Sequence, residues 1–534
     1  MPTQPQRNIQ VAAPGFLGLN TQDSPVGMDI TFAATADNCI IDKLGRIASR
    51  KGFQALTTNG RVTLVEEQVR QMFYFTSRAG VNYLFVCANN NIYLQDLNSP
   101  YELSALTLPV GYPGINADNW SICTLSDKVY FVQSGQQPLL FDPNAVDPTI
   151  LELWAEPPNP LTGPSPGLPN VNLAAFGHQF CADYDDNKSI LVWSDLLIGD
   201  IFATATQGGS IDLTEVWPFG YDVVVALYAH NNFLVVFGLQ SILVFNVPIE
   251  GPTYASLVDT IVGIGCVARD TVVGTGNDVF FLDDTGVRSL GRTITEKSVP
   301  IGDVSVNVRS DIKSAIASST PKNIKAVYHA DESFYAVFFP DIDITYVFDT
   351  RQSLENGALR PTRWPFIGIT CSTRSQQEDQ YFAGRYGVYE YKGGNDKAYT
   401  DTGDPDLLVD IPVSMSYYTN YQTFEQPANL KFPKQLDLTI IGSIDLQLYV
   451  KWGFDYLSPT NELELTRTGG EAAQYNISEY DLAEYSGGGT LLSTETFNLW
   501  GNGRNVNFGF EANILGTQLS MQELNIQTLT GRII

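Results

Sequence analysis

The chain has three histidines in 534 residues: His178, His230 and His329. Three imidazoles would make a catalytic zinc site if they met at one point. Each instead stands just before its own apolar run. The runs are Gln179-Phe180-Cys181-Ala182, Phe233-Leu234-Val235-Val236-Phe237 and Phe334-Tyr335-Ala336-Val337-Phe338. The histidines are therefore expected at comparable turns of separate sheets, bonded to backbone rather than to a shared metal. Acidic strings offer a second chemistry. Asp183-Tyr184-Asp185-Asp186-Asn187, Asp341-Ile342-Asp343 and the aspartates of 401–406 carry the oxygen ligands that calcium takes. A calcium ion needs about six to eight oxygens converging, and the same strings arise wherever Asp and Asn build turns. The turn reading is the expectation.

Carboxylates held about 5–9 Å apart can hydrolyse glycosidic bonds. Asp183, Asp283 and Asp284 fall at the ends of apolar strands, but they form no consistent set among 58 acids. The sequence has no G-x-x-x-x-G-K-[ST] phosphate loop and no G-x-S-x-G nucleophile elbow. Gly263-Ile264-Gly265-Cys266 has no helix after it, and Gly274-Thr275-Gly276 reads as part of a hairpin. The sequence thus nominates no catalytic residue, no cofactor, no cofactor-binding residue and no metal ligand. A protein without catalytic turnover is expected.

The elements around these residues repeat. Apolar runs begin at Tyr83, Val129, Gln179, Phe233, Val279, Phe334 and Gln380, with steps of 46, 50, 54, 46, 55 and 46 residues. A second strand usually follows after a polar turn, as in Ile92-Tyr93-Leu94-Gln95-Asp96 after Ala88-Asn89-Asn90-Asn91. Branched and aromatic residues favour strands, while Asn, Asp and Gly favour the turn between them. The spacing is that of a four-stranded propeller blade. The expected fold is all-β: a β-propeller of about seven blades over 61–392, with an additional β-domain formed by the N- and C-terminal regions. A face-packed β-sandwich is the competing architecture.

Residues 1–60 read as an N-terminal arm and a β-hairpin region. Met1 to Ala13 shows no core pattern, and Asp42 to Gly45 should turn a hairpin. Residues 393–406 break the pattern with Gly-Gly and aspartates, and 405–534 read as a C-terminal β-domain. Alternation marks strands at Asp410 to Tyr418, Lys434 to Val450 and Leu524 to Leu529. Asn461 to Tyr485 reads as a polar insertion. Some helical character appears around Val308 to Ala317, where a short helix or a polar strand fits equally well. The N-terminal strands are expected to pair with C-terminal ones, since alone they are too few for a stable core.

Composition limits the function. There are 31 Lys and Arg against 58 Asp and Glu, a net charge of -27. Such a surface repels nucleic acid, so duplex-gripping is not expected, and a wall along which DNA slides without sticking is compatible. The six cysteines form no close pairs, and Cys87 and Cys181 read as small core residues. Met1 to Gln10 is polar and lacks the apolar stretch of a signal peptide. No apolar run is long enough to cross a bilayer. The expected product is cytosolic when made, with no membrane segment.

Gly18-Leu19-Asn20, then Asn38-Cys39-Ile40-Ile41-Asp42, then Gly45-Arg46, then Arg50-Lys51-Gly52-Phe53 resembles the opening of the tail tubular protein B, or tail nozzle, family of short-tailed bacteriophages. Leu17 stands where that pattern has the first glycine of a pair. The likeness covers about the first 55 residues directly and the rest by architecture. It implies a structural virion protein of the viral tail. Six copies, a homohexamer, would form a ring around the channel through which the genome is ejected. The implied partners are a tail adaptor or tube protein above, tail fibres or spikes at the side, and double-stranded DNA passing non-specifically through the lumen. Two alternatives follow from the same architecture: a propeller module that docks receptor-binding tail fibres, and a tail enzyme that degrades polysaccharide.

Overall fold

The computed structural model describes residues 6–58, 61–62, 68–96, 103–154, 167–202, 208–247, 256–276, 278–296, 303–375, 379–384, 387–399, 408–442, 446–467, 491–516 and 518–531. Its strands form a seven-bladed propeller joined to a β-sandwich. Blades one to four are antiparallel four-stranded sheets spanning 71–105, 121–153, 169–212 and 224–262. The fifth has three strands over 273–289, and the sixth four over 325–365. The seventh takes three strands from 369–391 and its outer strand from Phe53–Ala55, which pairs with Gly387–Tyr391. Sequence periodicity places Phe53–Ala55 before the propeller. In the structure it closes the ring, so the first and last blades are held together by a strand from the N-terminal region.

The runs that define the repeat are the second strands of the blades. They are apolar at nearly every position because both faces are buried. In Asn82–Ala88, Leu84 and Val86 pack against Ala383 and Val388 of blade seven. Phe85 and Cys87 pack against Phe131 and Leu139 of blade two. The same division recurs between later blades, with Phe180, Trp193, Leu234 and Val236 filling the third interface. Radial packing of this kind covers sheet faces and leaves only short edges.

The sandwich has two sheets. One runs Cys39–Ile41, Ile47–Ser49, Ser520–Thr530, Lys431–Gly442 and Leu491–Asn498. Gln6–Ala12 adds to it by pairing with Ser520–Thr530, so the segment that shows no core pattern in sequence is an ordered strand. The other sheet carries Phe32–Asp37, Leu408–Thr419, Val506–Ile514, Leu446–Phe454 and Asn461–Arg467. Asn461–Arg467 is thus a strand on the edge of this sheet, where an insertion is expected from its polarity. An edge strand facing solvent tolerates Glu462 and Glu464 on its surface. Burial alternates along Lys431–Gly442 and Leu446–Phe454, as it must when one face packs inward and the other meets water.

Leu436, Leu438, Ile526, Met415, Val450 and Phe510 share one core with Tyr335, Val337 and Phe348 of blade six and with Ile312 and Ala315 of the helix Arg309–Ala317. Backbone pairing joins the two units as well. Asn395–Tyr399 pairs with Leu408–Thr419 on one side and meets Phe53–Ala55 on the other.

Candidate functional site

The residues of the N-terminal signature meet at this joint. Asn38 has a φ of +53°, a conformation that Asn adopts more readily than most residues. Its amide donates to Ser414 O (2.8 Å), and its side-chain oxygen accepts from Arg50 Nε (3.0 Å). Arg50 also grips Asp396 with two hydrogen bonds and lies over the Phe53 ring at 5.0 Å. A planar guanidinium suits this two-point contact with a carboxylate. Gly52 is required by proximity, since a Cβ there would lie 1.7 Å from Asn395 O. Gly18, with a φ of +84°, is also confined, since a Cβ there would lie 2.5 Å from the Pro361 carbonyl oxygen.

The histidines fall in three separate blades, each beside the turn from inner to second strand. His178 Nδ1 bonds Ser194 O at 2.7 Å, and His329 Nδ1 accepts the Glu332 N–H at 3.2 Å. Burial lowers the His329 pKa. Among the described residues, no three metal-ligating side chains gather in one place.

The acidic strings have another use. Asp185 in blade three accepts from Ser134 Oγ (2.6 Å) and the Gly135 N–H (3.2 Å) in blade two. Asp118 accepts the Asn90 N–H (3.1 Å), and Asp343 accepts the Gly368 N–H (2.8 Å). Asp222 caps the Leu239 and Gln240 N–H groups at 2.9 and 3.0 Å. Turns that would otherwise leave N–H groups unpaired are thereby tied to their neighbours. At Asp118 and Asp222, which are buried, a hydrogen bond to the charged acceptor contributes about 1.5–3 kcal/mol. Asp183 bonds Asn170 and pairs with Lys188 at 3.1 Å. Asp341 accepts the Thr320 N–H and the Asn323 amide. Residues 401–406 lie outside the described residues.

The adjacent acids Asp283 and Asp284 are also engaged. Asp283 accepts from Arg288 Nε (2.7 Å), Thr285 Oγ1 (2.7 Å) and the Gly265 N–H (3.2 Å). Partial burial, and next the Asp283 charge, raise the Asp284 carboxyl.

The propeller axis carries the polar cluster that sequence reading does not find. A short helical turn, Arg269–Thr271, precedes blade five and enters the centre. Arg269 donates to Asn170 O (2.9 Å), Trp120 O (3.2 Å) and Asn119 O (3.3 Å), so one side chain ties the connection before blade two to the inner strand of blade three. Asp270 lies between Arg269 Nε (2.8 Å) and Lys325 Nζ (2.6 Å). Lys325 reaches across to Gln71 Oε1 at 2.5 Å. Burial alone would raise the Asp270 pKa. The charges and hydrogen bonds of Arg269 and Lys325 outweigh it and hold the carboxyl well below its usual range.

This cluster plugs the axis. A cavity of about 150 Å³ between the inner strands of blades one to four is bordered by Arg269 and Asp270. A larger one of about 370 Å³ opens beyond Lys325, on the face that carries the turns between second and third strands. No single motif signals the plug in sequence, because its parts come from residues 71, 119, 170, 269, 270 and 325.

No known family profile matches the sequence, and no curated protein sequence matches it. Solved structures similar to the chain include PorZ, a surface component of the type-IX secretion system of Porphyromonas gingivalis. That likeness has 10% identity and a TM-score of 0.35, covering 68% of this chain and 42% of that one. The WD40 domain of Toxoplasma gondii coronin is similar at 11% identity and a TM-score of 0.37, over 67% of this chain and 87% of that one. Virginiamycin B lyase from Staphylococcus aureus is similar at 13% identity and a TM-score of 0.32, over 61% and 94%. The chain thus spans less than half the length of the first of these. The propeller assignment rests on the strand topology above.

Proposed function

We propose that the chain is a structural component of a bacteriophage tail, one copy of a nozzle ring around the channel through which the genome leaves. The observation that carries the reading is the joint. Gly18, Asn38, Arg50 and Gly52, which carry the resemblance to tail nozzle proteins, are the residues that lock the N-terminal segment to the propeller and sandwich. The signature therefore encodes an architecture, a propeller fused to a β-domain by the N-terminal strands.

Two further observations support the ring. The propeller's own axis is filled by Arg269, Asp270 and Lys325, so a duplex would pass between copies rather than through a propeller. A closed ring is a simple way to build such a passage from one chain, and six copies follow from the resemblance. The net charge of -27 would keep DNA from adhering to a wall built of this protein. The chain would work without catalytic turnover, against an adaptor or tube protein above and fibres at the side.

Immunogold labelling of phage particles with an antibody to the purified chain tests this reading. Gold at the tail supports it, and particles that carry none overturn it. Incubation with capsule or cell-wall polysaccharide tests the enzyme alternative. Unchanged polysaccharide is the expected result, and released oligosaccharide contradicts the absence of turnover.

A further inference from the structure

The larger axial cavity differs in charge from the chain around it. Its lining carries Arg70, Lys322 and Lys325 against a single acid, Asp118, on a protein of net charge -27. Lys325 is neutralised by Asp270 at 2.6 Å. Arg70 and Lys322 make no ion pair and no side-chain hydrogen bond among the described residues. Arg70 approaches from the start of blade one and Lys322 from the connection into blade six. Asn90, Asn116 and Asn119 line the space between them with amides. The bordering acids are already engaged: Asp118 holds the Asn90 N–H, and Asp341, at the turn beside Pro340, holds Thr320 and Asn323, with the Arg70 charge near enough to help lower that carboxyl.

We infer that this cavity is a binding site for an oxyanion, a carboxylate or phosphate group seated between Arg70 and Lys322. Cations that make no ion pair or side-chain hydrogen bond among the described residues, set beside neutral amides, suit an oxyanion, because charge-assisted hydrogen bonds are the strong ones. The focusing of field in a concave site favours the same sign. The group can arrive as a free small anion or as an acidic side chain of a docking polypeptide. The surrounding face favours the polypeptide. Phe219 and Tyr221, between blades three and four, and Phe366, between blades six and seven, are 66%, 62% and 84% exposed on the same face, apolar area that a free anion does not need. The site does not depend on the ring reading, since it uses one chain alone.

Titration of the full-length protein at low salt with inorganic phosphate and, separately, with N-acetyl tetraglutamate tests the site. Calorimetry and the shift in melting temperature serve as readouts. Saturable binding is expected, weakened about ten-fold or more in the Arg70→Gln/Lys322→Gln double variant. Lys397→Gln, a change on the strand Asn395–Tyr399 away from the cavity, should leave it unaltered. Among the described residues the double variant removes no ion pair and no side-chain hydrogen bond, so a denaturation midpoint close to that of the wild type is expected and shows that it is folded. Tighter binding of tetraglutamate assigns the site to a protein segment, and tighter binding of phosphate assigns it to a small anion. Equal binding by wild type and double variant, or no saturable binding of either probe by wild type, overturns the inference.

Discussion

Arg50 and Asp396 lie 346 residues apart in the chain and meet in a two-point ion pair, Nη1 to Oδ1 at 2.7 Å and Nη2 to Oδ2 at 2.6 Å. The Arg50 side chain is 4% exposed and that of Asp396 20%. Asp396 Oδ1 also accepts the Phe53 N–H at 2.8 Å, at the strand that closes the seventh blade. Ring closure and attachment of the sandwich therefore share one carboxylate.

Arg50→Ala should destabilise the protein by about 3 kcal/mol, because it strands a largely buried carboxylate. Arg50→Lys keeps the charge but loses the second contact and should recover only part of that. Urea denaturation of the three proteins measures both. A loss no larger than that of an exposed surface pair would contradict the role of the joint.

Gly52→Ala places a Cβ into Asn395 O, which is backbone and has little room to yield. It is expected to lower the melting temperature, with the blade-seven closure affected first. Gly27 has nothing within 4 Å of the corresponding position, so Gly27→Ala should be neutral or stabilise by up to about 1 kcal/mol. Thermal melts of the two variants side by side read the contrast, and equal effects would count against close approach as the reason for glycine at 52.

At the axis, Asp270→Asn leaves Arg269 and Lys325 without their shared carboxylate and should cost about 3 kcal/mol near neutral pH. The sign of its pH dependence follows from the depressed pKa of Asp270. The ionised carboxylate stabilises the fold above the unfolded value, about 4, and that contribution is lost as the pH falls toward the folded value. The stability gap between wild type and variant should therefore narrow on acidification below about pH 4. Denaturation midpoints at a series of pH values measure the gap, and a gap that stays constant or widens contradicts the assignment.

All six cysteines are free and buried. Burial raises every one of their thiols, pushing Cys123 and Cys266 up to about 12 and Cys371 to about 11. A thiol reagent at pH 8 should leave the folded protein nearly unlabelled and modify six groups after denaturation, since the thiolate is the reactive form. Rapid labelling of a cysteine under native conditions would show that a blade interface opens.

Much of this molecule is legible in its sequence, for physical reasons. The second strand of every blade is buried on both faces, so it writes a continuous apolar run such as Phe233–Gly238, and seven such runs expose the repeat. The sandwich strands write alternation because one face is wet. The closing strand Phe53–Ala55 is three residues long, too short for any periodicity, and its partner is more than 300 residues away in sequence. Gln6–Ala12 is hidden for a related reason, since a polar edge strand such as this one has little apolar pattern to show. The axial cluster is least legible of all, because Arg269, Asp270 and Lys325 are ordinary residues until the blades bring them together. The acidic strings are plain in the sequence, but their role as ties between turns depends on which blade lies next to which.

The most direct test of the tail reading is a cryo-electron microscopy reconstruction of the assembled phage particle. A ring of copies of this chain on the tail axis, with the passage lying between copies and each propeller closed at Lys325, is the predicted result. Density for the chain only at the tail periphery, away from the DNA path, would contradict the nozzle and favour a fibre-docking module.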